Sequence, residues 1–105
     1  MRYEVVITSR AERELNEAAD WIAAQAPEAA ARWYHGFVQA IIKLGDNPLR
    51  CAIARESALF PFQIRELLYG RRRNHRAIYT IRESKILVLS IRHAARDELT
   101  PDDLA

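Results

Sequence analysis

The chain has 105 residues, half of them hydrophobic, and a formal net charge of +2. That length fits a single domain over residues 1–105 whose core needs no disulfide or metal staple. The lone cysteine, Cys51, excludes an intrachain disulfide and a cysteine-based metal cluster, and nothing in the chain approaches the length of a membrane span. A cytoplasmic protein with no membrane partner is therefore expected.

In chain order, Tyr3 to Thr8 (YEVVIT) is short, apolar and β-branched, which predicts a strand. Ser9 with Glu12 three residues on is a capping box, so a helix is expected to begin at Ser9. Ala11, Leu15, Ala18 and Ile22 then make one apolar stripe, with Arg13, Glu14, Glu17 and Asp20 largely off it. Pro27 suits the first turn of a second helix, in which Ala30, Trp33, Phe37, Ile41 and Leu44 share a face. Gly45, Asp46, Asn47 and Pro48 end it, giving a helical hairpin. Aromatics at helical spacing usually pack, so Trp33 and Phe37 are expected in the core.

Residues 48–61 have no period and read as a connecting loop. Phe62–Tyr69, His75–Arg82 and Lys85–Arg92 then read as strands, joined by a turn at Gly70–Arg73 and a corner at Glu83–Ser84. Turns this short make the three strands an antiparallel meander. The expected fold is α+β, in the order β-α-α-β-β-β: an N-terminal strand, an α-helical hairpin, then the meander, with the helices packed on one face of a small twisted sheet. The first strand should pair at one side of the meander. Alternation places Arg76, Ile78 and Thr80 on one face of the middle strand. In the last strand it groups Lys85, Leu87, Leu89, Ile91 and His93 against Ile86, Val88, Ser90 and Arg92. Both faces keep apolar residues, so the sheet should be covered, with its charge gathered at a rim.

Charge is unevenly distributed. Residues 1–64 carry a net −1, residues 65–96 a net +7 and residues 97–105 a net −4. A basic block of this kind favours an acidic or polyanionic partner, and the acidic end can shield that block or stay solvated. There is no Cys/His cluster and no glycine-rich phosphate loop, so no metal or organic cofactor is expected.

YEVVIT, S-R-A-E-R-E-L, D-N-P, I-R-E-L-L-Y-G, H-R-A-I-Y and L-S-I-R-H-A-A-R-D occur in that order along the chain. Together they resemble the RelE/ParE superfamily of toxins from type II toxin–antitoxin modules, often labelled plasmid stabilisation proteins. The resemblance implies a growth inhibitor neutralised by a cognate antitoxin from an adjacent gene. It also implies one of two targets: RelE-like members cut mRNA in the ribosomal A site, and ParE-like members poison DNA gyrase without being nucleases. The ending R-H-A-A-R-D, residues 92–97, is similar to the ParE type.

Cleaving RNA through its own 2′-hydroxyl needs a base, a cation for the phosphorane and an acid for the leaving oxygen. By position in the resemblance, a nuclease of this kind would use Arg65, Arg76, His93 and Arg96. Gln63 stands where RelE has a lysine, and no tyrosine follows Tyr79, so that set is incomplete. Each candidate has a structural alternative. Arg65 can pair with Glu66 or an acidic helix residue, and His93 can terminate a strand. Arg76, mid-strand, needs a partner or a ligand. Arg71, Arg72, Arg73 and Arg92 suit contact with a nucleic acid or another target. The sequence therefore reads as a toxin with ParE-like gyrase poisoning. The alternatives are a metal-independent, ribosome-dependent mRNA endoribonuclease and a non-toxic nucleic-acid or protein-binding module.

Overall fold

The computed structural model describes residues 2–94 and 98–104; Arg96, and with it the end of the 92–97 segment, lies outside the described residues. Strand β1 (Glu4–Ile7) leads into α1 (Ser9–Ala23) and α2 (Pro27–Ile42), and three short 3-10 turns at Lys43–Gly45, Pro48–Arg50 and Arg55–Leu59 follow. Then come β2 (Arg65–Tyr69), a 3-10 turn at Arg71–Arg73, β3 (His75–Arg82), β4 (Lys85–His93) and a last turn at Pro101–Leu104. The expected α+β order is present, with the helices packed on one face of the sheet.

The start of α1 differs from the capping box. Thr8, not Ser9, is the N-cap: it is extended, and its Oγ1 accepts from the Ala11 N–H at 3.3 Å. The same hydroxyl donates to the Val88 carbonyl at 2.7 Å. Thr8 therefore ends β1 and begins α1 while still tied to the sheet, a double duty that Ser9, already inside the helix, cannot perform. At the second helix, Pro27 occupies the first turn, and Ala26 before it provides no side-chain cap.

The sheet order is β1-β4-β3-β2. β2, β3 and β4 form the expected antiparallel meander, and β1 joins beside β4 in parallel, so the four-stranded sheet is mixed. Ile78 faces Ser90 and Tyr79 faces Val88, which leaves Leu89 as one extra residue in β4. This bulge breaks simple alternation. Ile86, Val88 and Ile91 all enter the core under the helices, while Leu89 packs on the opposite side.

The larger core lies between helices and sheet. Ala11 and Leu15 of α1, Phe37 and Ile41 of α2, and Leu44 meet Leu67, Ala77, Tyr79, Ile86, Val88 and Ile91. Each large aliphatic or aromatic side chain buried there stabilises the fold by roughly 1.5–3 kcal/mol relative to exposure. The second face carries a smaller cluster of Ala54, Ile64, Ile78 and Leu99. The 48–61 segment is thus more than a linker: an Ile53–Arg65 bridge and the Arg55–Leu59 turn bring it over that face, and Leu99 closes it from the C-terminal side.

Candidate functional site

The cationic residues fall into two groups with different environments. Arg76 is at the centre of the first. Its side chain is wholly buried on the second face of the sheet, where Nη1 donates to Glu56 Oε1 at 2.8 Å and to Glu66 Oε1 at 3.0 Å. Nη2 pairs with Glu56 Oε2. Glu56 is equally buried and also accepts the Leu99 N–H at 2.9 Å. Burial pushes the Glu56 carboxyl up, but the Arg76 hydrogen bonds and the Leu99 amide outweigh it and hold the group down at about 2. Arg76 is likewise penalised by burial and, on balance, raised by Glu56 and Glu66.

The expectation that a mid-strand cation needs a partner or a ligand is met by a partner. Alternation put Arg76 on a face, and the structure covers that face with the 55–59 turn and Leu99. The cation mid-strand has its partner, and the partner is Glu56. Sequence reasoning missed Glu56 because it sits in a segment without period. The available signal was that Glu56 is the sole acid between Pro48 and Pro61, while a buried arginine demands one.

Arg65 is also occupied. Its Nη1 donates to the Cys51 carbonyl at 2.6 Å and to the Leu49 carbonyl at 3.4 Å, and Nη2 to Gln63 Oε1 at 3.2 Å. The guanidinium braces the Pro48–Arg50 turn instead of pairing with Glu66, which belongs to Arg76. Tyr79 supports the same turn from the core, donating to the Pro48 carbonyl at 2.5 Å. Burial, with a Cys51 hydrogen bond, raises its phenol well above the usual range.

His93 ends β4, and its ring lies edge-on to His75 at 5.7 Å. His75 in turn packs edge-on against Trp33 at 5.0 Å. Burial first, and the nearby His93 second, push His75 down from the usual imidazole value. Arg92 is half-buried, 3.4 Å from Ser90 Oγ and 3.8 Å from Asp103 Oδ2. Glu98 stands 4.0 Å from Arg55. Through Asp103 the acidic end thus reaches the basic block at Arg92, while Glu98 meets an arginine outside that block.

The second group is exposed. Gly70, at φ 89°, opens the turn in a conformation that favours glycine, and Arg71, Arg72 and Arg73 all lie at the surface. Arg72 and Arg73 themselves both have φ 55°, the left-handed region that arginine seldom adopts. The structure therefore gathers Arg71–Arg73 as one exposed cluster and keeps it apart from the buried Arg76. Among the described residues, no group of three or more His, Cys, Asp or Glu side chains is arranged to hold a metal ion, and no helix is long and apolar enough to cross a membrane.

Comparison with known proteins gives the architecture a family. No curated protein sequence matches significantly. A solved structure described as the "Chromosomal ParDE TA system from P. aeruginosa" superposes with a TM-score of 0.72 at 22% identity, covering 88% of this chain and 96% of that one. At that identity the likeness establishes the fold. The family model described as "ParE toxin of type II toxin-antitoxin system, parDE" matches residues 5–98. The helical hairpin, the meander and all but the first residue of β1 fall within the match, and the chain belongs to the ParE toxins of type II toxin–antitoxin systems.

Proposed function

We propose that this toxin arrests growth in the cytoplasm by poisoning DNA gyrase, that a cognate antitoxin holds it in check, and that Arg71, Arg72, Arg73 and Arg92 contribute to target contact. The observation that carries the choice of target is the occupancy of Arg76. A phosphorane-stabilising cation must reach the scissile phosphate. Arg76 is instead enclosed with Glu56 and Glu66, and Arg65 is spent on backbone carbonyls. Family membership supports the same side of the superfamily. The exposed arginine cluster supports an anionic or acidic contact surface.

Induction of the chain in bacterial cells tests this. Growth arrest with double-strand DNA breaks and intact mRNA is the expected result. Arrest with mRNA cut only where ribosomes are translating would overturn gyrase as the target and make Arg65, Arg76, His93 and Arg96 the groups to mutate. A harmless protein would leave the binding-module reading.

A further inference from the structure

Two of the chain's three histidines are brought face to face by the β3–β4 hairpin. His75 opens β3 and His93 ends β4, distant in sequence and directly opposite in register. The Ala94 N–H donates to the Asn74 carbonyl at 2.7 Å. In an antiparallel ladder the next pair inward, His75 with His93, then exchanges no backbone hydrogen bond. Such pairs have Cα atoms about 4.5 Å apart and side chains at their closest. The two rings stand 5.7 Å apart, centroid to centroid. Both histidines are half-buried and line a cavity of about 280 Å³ with Ala18 and Trp21 of α1 and with Asn74.

The chemistry of this niche fits a borderline metal cation. A neutral imidazole is a common ligand for zinc, copper and nickel, and two of them on one side of a hairpin are positioned as a pair. With metal–nitrogen bonds of about 2.0–2.1 Å, two imidazole rings on one ion have centroids roughly 5–6 Å apart, which is the separation already present. The χ2 torsion of histidine is broad, so each ring can turn a nitrogen inward without a strained rotamer. Trp33 buttresses His75 edge-on at 5.0 Å and limits its travel. The Asn74 carboxamide lines the same cavity and offers an oxygen, and the remaining volume admits water to fill the coordination shell. Among the described residues no third His, Cys, Asp or Glu completes a cluster, so the site is an open one and not a closed structural cage.

We infer that His75 and His93 form a two-histidine site for a divalent transition-metal ion of the zinc and copper class, with water and the Asn74 carboxamide completing its shell. A bound ion ties the ends of β3 and β4 together beside the Arg71–Arg73 turn and Arg92. The nitrogen ligands select against magnesium and calcium, which prefer oxygen. The site goes beyond the choice of target and holds for either one.

The test uses the full chain, stripped of metal with a chelator and then titrated with zinc chloride in a calorimeter. One ion per chain at micromolar concentration is the expected result. His75→Asn and His93→Asn should each weaken binding at least about tenfold, and His35→Asn, at an exposed position on α2, should leave it unchanged. Magnesium at the same concentration should not bind. Two readouts on the unaltered chain guard against variants that fold poorly. Zinc should shift the imidazole nitrogen resonances of His75 and His93 and not those of His35. Copper(II) should quench the emission of both tryptophans, because Trp21 lines the cavity and Trp33 packs on His75. Zinc binding that either His75→Asn or His93→Asn leaves intact, resonances of the pair unmoved at saturating zinc, or binding lost with His35→Asn would each overturn the inference. So would magnesium that binds as tightly as zinc, tryptophan emission unquenched by copper, or zinc that binds only at millimolar concentration, the mark of adventitious surface coordination.

Discussion

Arg76 on β3 and Glu56 on the turn opposite it are both fully enclosed, and each is the other's principal counter-charge. Removing one member strands a charge inside the protein. Arg76→Ala should therefore destabilise the fold by about 3–5 kcal/mol. Any loss of toxicity in that variant would report unfolding rather than lost catalysis. The double variant Arg76→Met, Glu56→Leu should recover part of the loss, though not all, because the Leu99 N–H is left without its acceptor. Urea unfolding of the two variants measures this; a double variant no more stable than Arg76→Ala would contradict it.

Acid should undo the same pair. The Glu56 carboxyl is held at about 2 in the folded protein, against 4.5 for the ordinary group. A depressed carboxylate stabilises the fold fully above its ordinary value, and that contribution is lost as pH falls toward the folded value. Stability should thus decline between about pH 4.5 and 2, by an amount on the order of 3 kcal/mol attributable to Glu56. Glu56→Gln should be less stable at neutral pH and should flatten this part of the profile. Denaturant midpoints across the acid range provide the measurement.

Gly36 on α2 is fixed by Tyr69 on β2. A Cβ at Gly36 would lie 2.0 Å from the Tyr69 hydroxyl, and the Tyr69 ring cannot swing away freely because it stacks on Phe37 at 4.6 Å. Gly36→Ala should cost about 1–3 kcal/mol despite alanine's better helix propensity. Adding Tyr69→Phe should restore part of the loss by deleting the colliding oxygen. Thermal melts of both variants decide it, and a stabilised Gly36→Ala would refute the packing.

Glu14 on α1 closes an edge. β1 ends at Ile7, opposite Val88, and beyond it Glu14 Oε1 accepts from the Ile91 N–H at 3.1 Å and from Ser90 Oγ at 2.8 Å. Glu14→Ala should cost about 1–3 kcal/mol by leaving those donors unmet. Glu14→Gln, which keeps an acceptor and loses only the half-exposed Arg10 contact, should cost much less. Equal losses in the two variants, read by chemical denaturation, would show that charge rather than the edge matters.

Regular periodicity was readable in the sequence wherever one force dominated. The apolar stripes of both helices were legible because burial on one side repeats at a fixed spacing, and the limits of His75–Arg82 because turn residues bound it at each end. What failed was non-local. Thr8 is the cap because Val88, eighty residues away, fixes its hydroxyl. The Leu89 bulge cannot be seen in β4 alone, since it exists only relative to β3. Glu56 looks like any loop acid until Arg76 is placed above it. At the candidate site, the exposure of Arg71–Arg73 followed from their position in a turn, whereas the enclosure of Arg76 depended on a segment with no period of its own.

The central claim is the target, and purified DNA gyrase tests it most directly. With supercoiled plasmid, ATP and the purified toxin, the account predicts accumulation of cleaved plasmid and loss of supercoiling activity, both suppressed by prior addition of the cognate antitoxin. Gyrase that supercoils normally at saturating toxin, while translating ribosomes exposed to the same protein yield cut mRNA, would contradict it.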